Sequence, residues 1–65
     1  MSEYVEVQYE QVIRKTDAAV LVLIDGEDVW LPWTQIEDNG EDLGEGAGVL
    51  YLKRWLAQKK DIPYD

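Results

Sequence analysis

Val20-Leu21-Val22-Leu23-Ile24-Asp25-Gly26-Glu27-Asp28-Val29-Trp30-Leu31-Pro32-Trp33-Thr34-Gln35-Ile36 carries the clearest fold signal in the chain. An apolar run meets Asp25-Gly26, and a second apolar run breaks at Pro32. Asp-Gly between two such runs is a strong hairpin signal. A two-residue type I′ turn needs positive φ at both positions, which Asp tolerates and Gly adopts freely. Glu27 to Leu31 returns as a strand, with Val29 and Leu31 on one face and Asp28 and Trp30 on the other. Pro32 cannot donate to a sheet ladder, so it ends the strand or sits on an edge. Trp33 to Ile36 is expected to form one turn of 3₁₀-helix that returns Ile36 to the core.

Outward from the hairpin, residues 4–14 read as a first strand. Val5, Val7, Tyr9 and Ile13 share one parity, with Gln11 as its exception; Glu6, Gln8, Glu10 and Arg14 share the other, with Tyr4 and Val12 as exceptions. Lys15-Thr16-Asp17 is a polar turn. Ala18 to Ile24 is continuously apolar, which fits a central strand covered on both faces or a half-buried strand whose outer face meets another subunit. Residues 37–48 hold four of the five glycines and five acids, a composition expected to make a mobile loop. Val49 to Leu52 reads as a further strand. Lys53 to Lys60 shifts to helical spacing, with Leu52, Trp55 and Leu56 on one face and Lys59 and Lys60 favourably placed at the negative end of the dipole. Pro63 prevents continuation. The expected fold is mainly β (α+β): one domain over residues 1–65, with about four antiparallel strands in a curled sheet or an SH3-like or OB-like half-barrel, a 3₁₀ turn and one short C-terminal helix.

Sixty-five residues leave room for a single small core. A chain of this size buries only about 60% of the surface its unfolded form exposes. Such a core supplies roughly 3–5 kcal/mol without extra support. Cys and His are both absent, which removes disulfides, zinc-finger ligands and the commonest general base. Bulk must come from three Trp and four Tyr, since there is no Phe. The first residues lack the basic start and apolar core of a signal peptide, and the run from Ala18 to Ile24 is too short to span a bilayer. A soluble cytoplasmic protein is the expectation.

Net charge is -8, and it is unevenly spread. Residues 17–45 carry Asp17, Asp25, Glu27, Asp28, Glu37, Asp38, Glu41, Asp42 and Glu45 with no base, whereas Lys53, Arg54, Lys59 and Lys60 lie near the C-terminus. This balance repels phosphate backbones and anionic membranes and attracts basic protein surfaces. It serves solubility as well.

Catalytic and metal-binding signals are weak. An EF-hand loop starting at Asp38 would place Leu43 and Val49 where Gly and Glu are required. No carboxylate pair has a catalytic spacing, and phosphate-loop, dinucleotide and nucleophile-elbow motifs are missing. No catalytic, cofactor-binding or metal residues, and no cofactor, are therefore expected. Trp30 and Trp55 are expected in the core because aromatic bulk is scarce. Trp33, after the strand-ending Pro32, is the Trp expected at the surface, where it would make a protein-binding hot spot. Tyr51 is the other aromatic candidate, because Leu50 and Leu52 face the opposite way. With the acids at the hairpin tip and in the loop, the candidate partner-binding set is Asp25, Glu27, Asp28, Trp33, Glu37, Asp38, Glu41, Asp42 and Tyr51.

Residues 19–36, together with the later Trp55-Leu56-Ala57-Gln58-Lys59-Lys60, resemble small uncharacterised proteins of bacteriophages and prophages. In that group a strand ending in Asp-Gly precedes a Trp-hydrophobe-Pro segment and a polar-Gln-Ile turn, followed by a variable acidic linker and a Trp-Leu helix. Trp33 departs from the small or charged residue expected at its position, which singles it out as a contact specific to this chain. The resemblance implies a phage origin, hence the cytoplasm of a bacterial host cell, and no activity. Three functions are then expected in order. The first is a non-catalytic protein-binding module, a phage accessory or inhibitor whose acidic surface docks on a basic host protein in imitation of nucleic-acid charge; an anti-defence protein such as an anti-CRISPR is its sharpest form. The second is a self-assembling homo-oligomer using Ala18–Ile24 or Trp33. The third is a small-barrel nucleic-acid or nucleotide-binding protein served by Lys53, Arg54, Lys59 and Lys60.

Overall fold

The structure is a computed structural model that describes residues 3–37, 43–44 and 46–65. Among the described residues five strands precede one short helix: β1 (Tyr4–Tyr9), β2 (Gln11–Lys15), β3 (Ala19–Ile24), β4 (Glu27–Pro32), a 3₁₀ turn (Trp33–Gln35), β5 (Gly48–Lys53) and α1 (Arg54–Lys59). The strands form two antiparallel sheets, β1-β5 and β2-β3-β4. The mainly β class, the 3₁₀ turn and the C-terminal helix are as expected, and the sheet does not close into a barrel. An isolated antiparallel bridge between Ile36 and Leu52 ties the end of the β4 segment to β5.

The single strand expected over residues 4–14 is two strands, which makes five in place of four. The chain bends at Glu10, and β1 follows β5 while β2 follows β3. The cause is visible in the side chains. Val5, Val7 and Tyr9 are buried, and then Val12, of the opposite parity, becomes the inward residue against Val22. A strand cannot change the face it buries without a local break, and here a register shift between Val12 and Arg14 follows the bend.

The hairpin forms as its sequence dictates. Asp25 and Gly26 have φ of 52° and 80°, both positive as a type I′ turn demands. β3 is central and alternates: Val20, Val22 and Ile24 are buried, while Ala19, Leu21 and Leu23 are half-buried on the outer face. Thr16 closes the preceding turn. Its N–H and hydroxyl both donate to the Ala19 carbonyl at 2.8 and 3.0 Å, and its hydroxyl accepts from Ala19 N–H at 3.1 Å. Leu23 and Ala19 thus give their carbonyls to Glu10 and Thr16 on the β2 side. The even residues of β3 therefore direct their backbone groups at β4, and the Ala19–Pro32 pair falls at a non-hydrogen-bonded position where a missing N–H breaks no ladder bond.

The core gathers Val5, Val7 and Tyr9 from β1, Val20, Val22 and Ile24 from β3, Leu31, Ile36, Leu50 and Leu52, with Leu43, Leu56, Ala57 and Ile62 closing it. Two expectations about Trp fail. Trp30 is 44% exposed and Trp55 is 54% exposed. Trp30 obeys the strand alternation that places it opposite Leu31. Trp55 is outward because Leu52 belongs to β5, so the six-residue helix turns Leu56 and Ala57 inward instead. Leu43, expected in the loop, is buried, and Lys15 donates to its carbonyl at 3.0 Å. The expected mobility of residues 38–42 and 45 lies outside the described residues.

The helix ends in a Schellman motif. Asp61 sits at φ 56° while Ile62 N–H returns to the Ala57 carbonyl (2.9 Å) and Asp61 N–H to that of Gln58 (3.2 Å). An L-residue pays for that backbone region and glycine does not. Asp61→Gly is expected to stabilise the protein by about 0.5–1 kcal/mol, read as a higher denaturant midpoint with unchanged slope.

Candidate functional site

The bend at Glu10 has a spatial consequence. Glu3 accepts from Arg54 N–H, so the odd residues of β1 direct their backbone toward β5 and α1. The even residues direct theirs the other way. Glu6 accepts from Asp65 N–H at 3.0 Å, and Glu10 donates to Leu23 at 2.7 Å. Gln8 lies between these two bonds, and its main-chain N–H and C=O have no partner among the described residues. The C-terminal segment, held back against β1 by the Asp65–Glu6 bond, forms one wall beside this gap, and the Asp25-Gly26 turn forms another.

The result is an open cleft of about 500 Å³. Four carboxylates line it, from Glu6, Glu10, Asp25 and Asp65, and no basic side chain does so among the described residues. Tyr9 and Tyr64 supply aromatic surface. Tyr64 is positioned by Gln58, whose amide donates to its hydroxyl at 3.1 Å. Tyr9 is only 4% exposed. Its hydroxyl has no hydrogen-bond partner among the described residues, yet no unpartnered side-chain atom is fully buried there, so this oxygen keeps contact with solvent. The same ring packs so closely on β5 that a Cβ on Gly48 would lie 2.6 Å from the hydroxyl oxygen. Glycine at 48 is thus what lets Tyr9 lie where it does.

Carboxylates accept charge-assisted bonds from ammonium or guanidinium groups, aromatic faces attract the same cations, and a bare strand edge accepts an extended main chain. These three features share one cleft.

Of the residues singled out from sequence, Asp25 lines the cleft. Glu27 and Asp28 lie just beyond it on β4, exposed, and Glu37 is exposed after the 3₁₀ turn. Tyr51 pairs across from Glu6, and its hydroxyl makes a long 3.5 Å contact to Glu6 Oε1, so it stands behind the cleft wall. Trp33 is half-buried against the core, and its indole N–H donates to the Thr16 carbonyl at 2.7 Å. That bond ties it to the β2–β3 turn, away from the cleft-lining residues. Asp38, Glu41 and Asp42 lie outside the described residues. Glu6, Glu10 and Asp65 were not among the sequence candidates; they read as outward positions of a strand and as a tail.

The basic residues lie apart. Lys53 donates to Glu3 Oε2 at 3.0 Å and sits 4.9 Å from the centre of the Tyr4 ring. The hydrogen bond to Glu3 raises its pKa above the ordinary 10.5, against a smaller opposing effect of desolvation. A raised folded pKa means the pair's stabilisation is complete below the ordinary value and disappears as pH rises through the folded one. Wild type and Glu3→Gln should therefore differ in melting temperature near neutral pH and converge in alkaline solution.

Fold and cleft define a class: a small, open, mainly β fold of two antiparallel sheets carrying an anionic, partly aromatic cleft. No family model matches the chain, and neither curated proteins nor solved structures contain a match.

Proposed function

We propose that this protein is a non-catalytic protein-binding module that takes a basic, extended segment of a partner protein into the cleft between β1, the C-terminal segment and the Asp25-Gly26 turn. The observation that supports the reading is the main chain of Gln8, without a partner among the described residues on its cleft side, set among Glu6, Glu10, Asp25 and Asp65. A partner residue in β conformation adds one bridge to Gln8. Its flanking Lys or Arg side chains then reach the carboxylates, and Tyr64 offers a face to the same cations. The role of a phage accessory or inhibitor protein acting on a basic host surface is the biological form of this proposal, resting on the resemblance noted from sequence.

The test is titration of a short fluorescent peptide of alternating Arg and Thr. Affinity is expected to fall at least tenfold between about 50 and about 500 mM salt, because exposed charges are screened over that range. Glu6→Gln, Glu10→Gln, Asp25→Asn and Asp65→Asn together should abolish binding. Asp17→Asn, Glu27→Gln, Asp28→Asn and Glu37→Gln remove the same number of charges elsewhere and should weaken it only slightly. Equal losses in the two variants would mean that net charge, and not the cleft, attracts the peptide.

A further inference from the structure

The outer face of the β2-β3-β4 sheet does not look like a face meant for water. An antiparallel sheet with one solvated face normally alternates apolar and polar along each strand. β3 does not: its inner Val20, Val22 and Ile24 fill the core, and its outer Ala19, Leu21 and Leu23 are apolar too. Outer positions could be polar at no cost to the core, so the core does not explain them. The register extends the same surface sideways. Leu21 pairs with Arg14 on one flank and Trp30 on the other; Leu23 pairs with Gln11 and Asp28; Ala19 pairs with Pro32. Trp30 is 44% exposed at the margin of this face.

We propose that this face binds a second copy of the chain, with a two-fold axis running along β3. The flanks select both the partner and the axis. A rotation about β3 places the β2 flank of one copy, bearing Arg14, over the β4 flank of the other, bearing Trp30 and Asp28. Arg14 then stacks on the partner's Trp30 and reaches the partner's Asp28 one row along the strand, and each contact occurs twice. Rotation about an axis crossing the strands at the Leu21 row would instead set Arg14 over Arg14, opposing like charges, and Asp28 over Pro32, so that Arg14 would meet neither the partner's Trp30 nor the partner's Asp28. Leu21 meets its own symmetry copy at the centre. Strands running nearly parallel across such a contact match the aligned packing of two sheets. A three-stranded face is small beside the roughly 1,600 Å² of a standard interface, so the dimer is concentration-dependent rather than obligate. None of these residues lines the acidic cleft, and the proposal stands independently of the peptide-binding reading.

Salt separates the two. Each copy carries a net charge of -8, so screening their mutual repulsion strengthens an apolar dimer while it weakens binding of a basic peptide. Sedimentation equilibrium across a concentration series is expected to show mass rising from 7.5 kDa toward twice that value, with the midpoint moving to lower concentration at higher salt. Leu21→Lys should raise the dissociation constant roughly 30-fold or more, as loss of a central hot spot does. Arg14→Asp and Asp28→Arg should each weaken the dimer about tenfold, and the double variant should recover it, because the swapped pair re-forms across the interface. Circular dichroism keeps unfolding apart from dissociation, and recovery in the double variant does so again. A single 7.5 kDa species at every concentration, or a dimer indifferent to Leu21→Lys, would overturn the proposal.

Discussion

Leu52→Ala is expected to leave a substantial fraction of the chain unfolded at room temperature. Leu52 is 0% exposed, pairs with Val5 in the β1-β5 sheet, and makes the bridge to Ile36 that connects this sheet to the β4 segment. Truncating a fully buried Leu costs about 2–5 kcal/mol through lost transfer energy and the cavity left behind. The whole stability of a domain this small is roughly 3–5 kcal/mol. The two figures are of the same size, so one truncation consumes most of the margin. Leu52→Met keeps the volume and should cost less than about 1.5 kcal/mol. Urea denaturation followed by far-ultraviolet circular dichroism compares them. A melting temperature for Leu52→Ala within a few degrees of wild type would mean that the two sheets are held together elsewhere.

Gly48→Ala is expected to cost about 1–3 kcal/mol, the usual size of overpacking in a filled core. The added Cβ would lie 2.6 Å from the Tyr9 hydroxyl oxygen and 2.9 Å from Cζ. Tyr9 is buried and paired directly opposite Gly48, so ring and strand have little room to separate. Placing Gly48→Ala in a Tyr9→Phe background removes the shorter contact and leaves the Cζ one, so recovery should be partial. The same substitution moves the Tyr9 hydroxyl relative to the four carboxylates, and the Arg-Thr peptide should bind more weakly to whatever folded protein remains. Thermal melts and titrations on the same samples read both effects. An unchanged melting temperature would show that β5 yields more easily than its register implies.

The hairpin was legible because three signals agreed: a β-rich run, an Asp25-Gly26 pair that takes positive φ at both residues, and a Pro that closes the returning strand. Trp30 was read in two ways. Alternation along β4 placed it outward, whereas the scarcity of aromatic bulk placed it in the core, and the alternation prevailed because Val, Leu and Ile fill the interior without it. The bend at Glu10 carries no Gly or Pro, so punctuation could not reveal it; the mark it left was the change of inward parity between Tyr9 and Val12. Trp55 was misplaced because a helical spacing was counted from Leu52, a residue that belongs to the preceding strand. The cleft was the least legible part. Its acids come from the first strand, the hairpin turn and the C-terminal segment, and of these only Asp25 stood in the base-free region that drew attention. Glu6 and Asp65 become neighbours through one backbone bond, which exists only after the chain has folded back on itself.

Pro32 has a consequence for how the protein behaves at high concentration. The outward edge of β4 exposes backbone at Asp28, Trp30 and Pro32, and the last of these has no N–H to offer. Acidic side chains at Glu27 and Asp28 occupy the other end of the same edge. An incoming strand would find a ladder missing a rung at one end and a charge barrier at the other, two features that discourage edge-to-edge growth into fibrils. Replacing Pro32 with Val would complete the ladder. The edge that now stops further strand addition would then become a template for it.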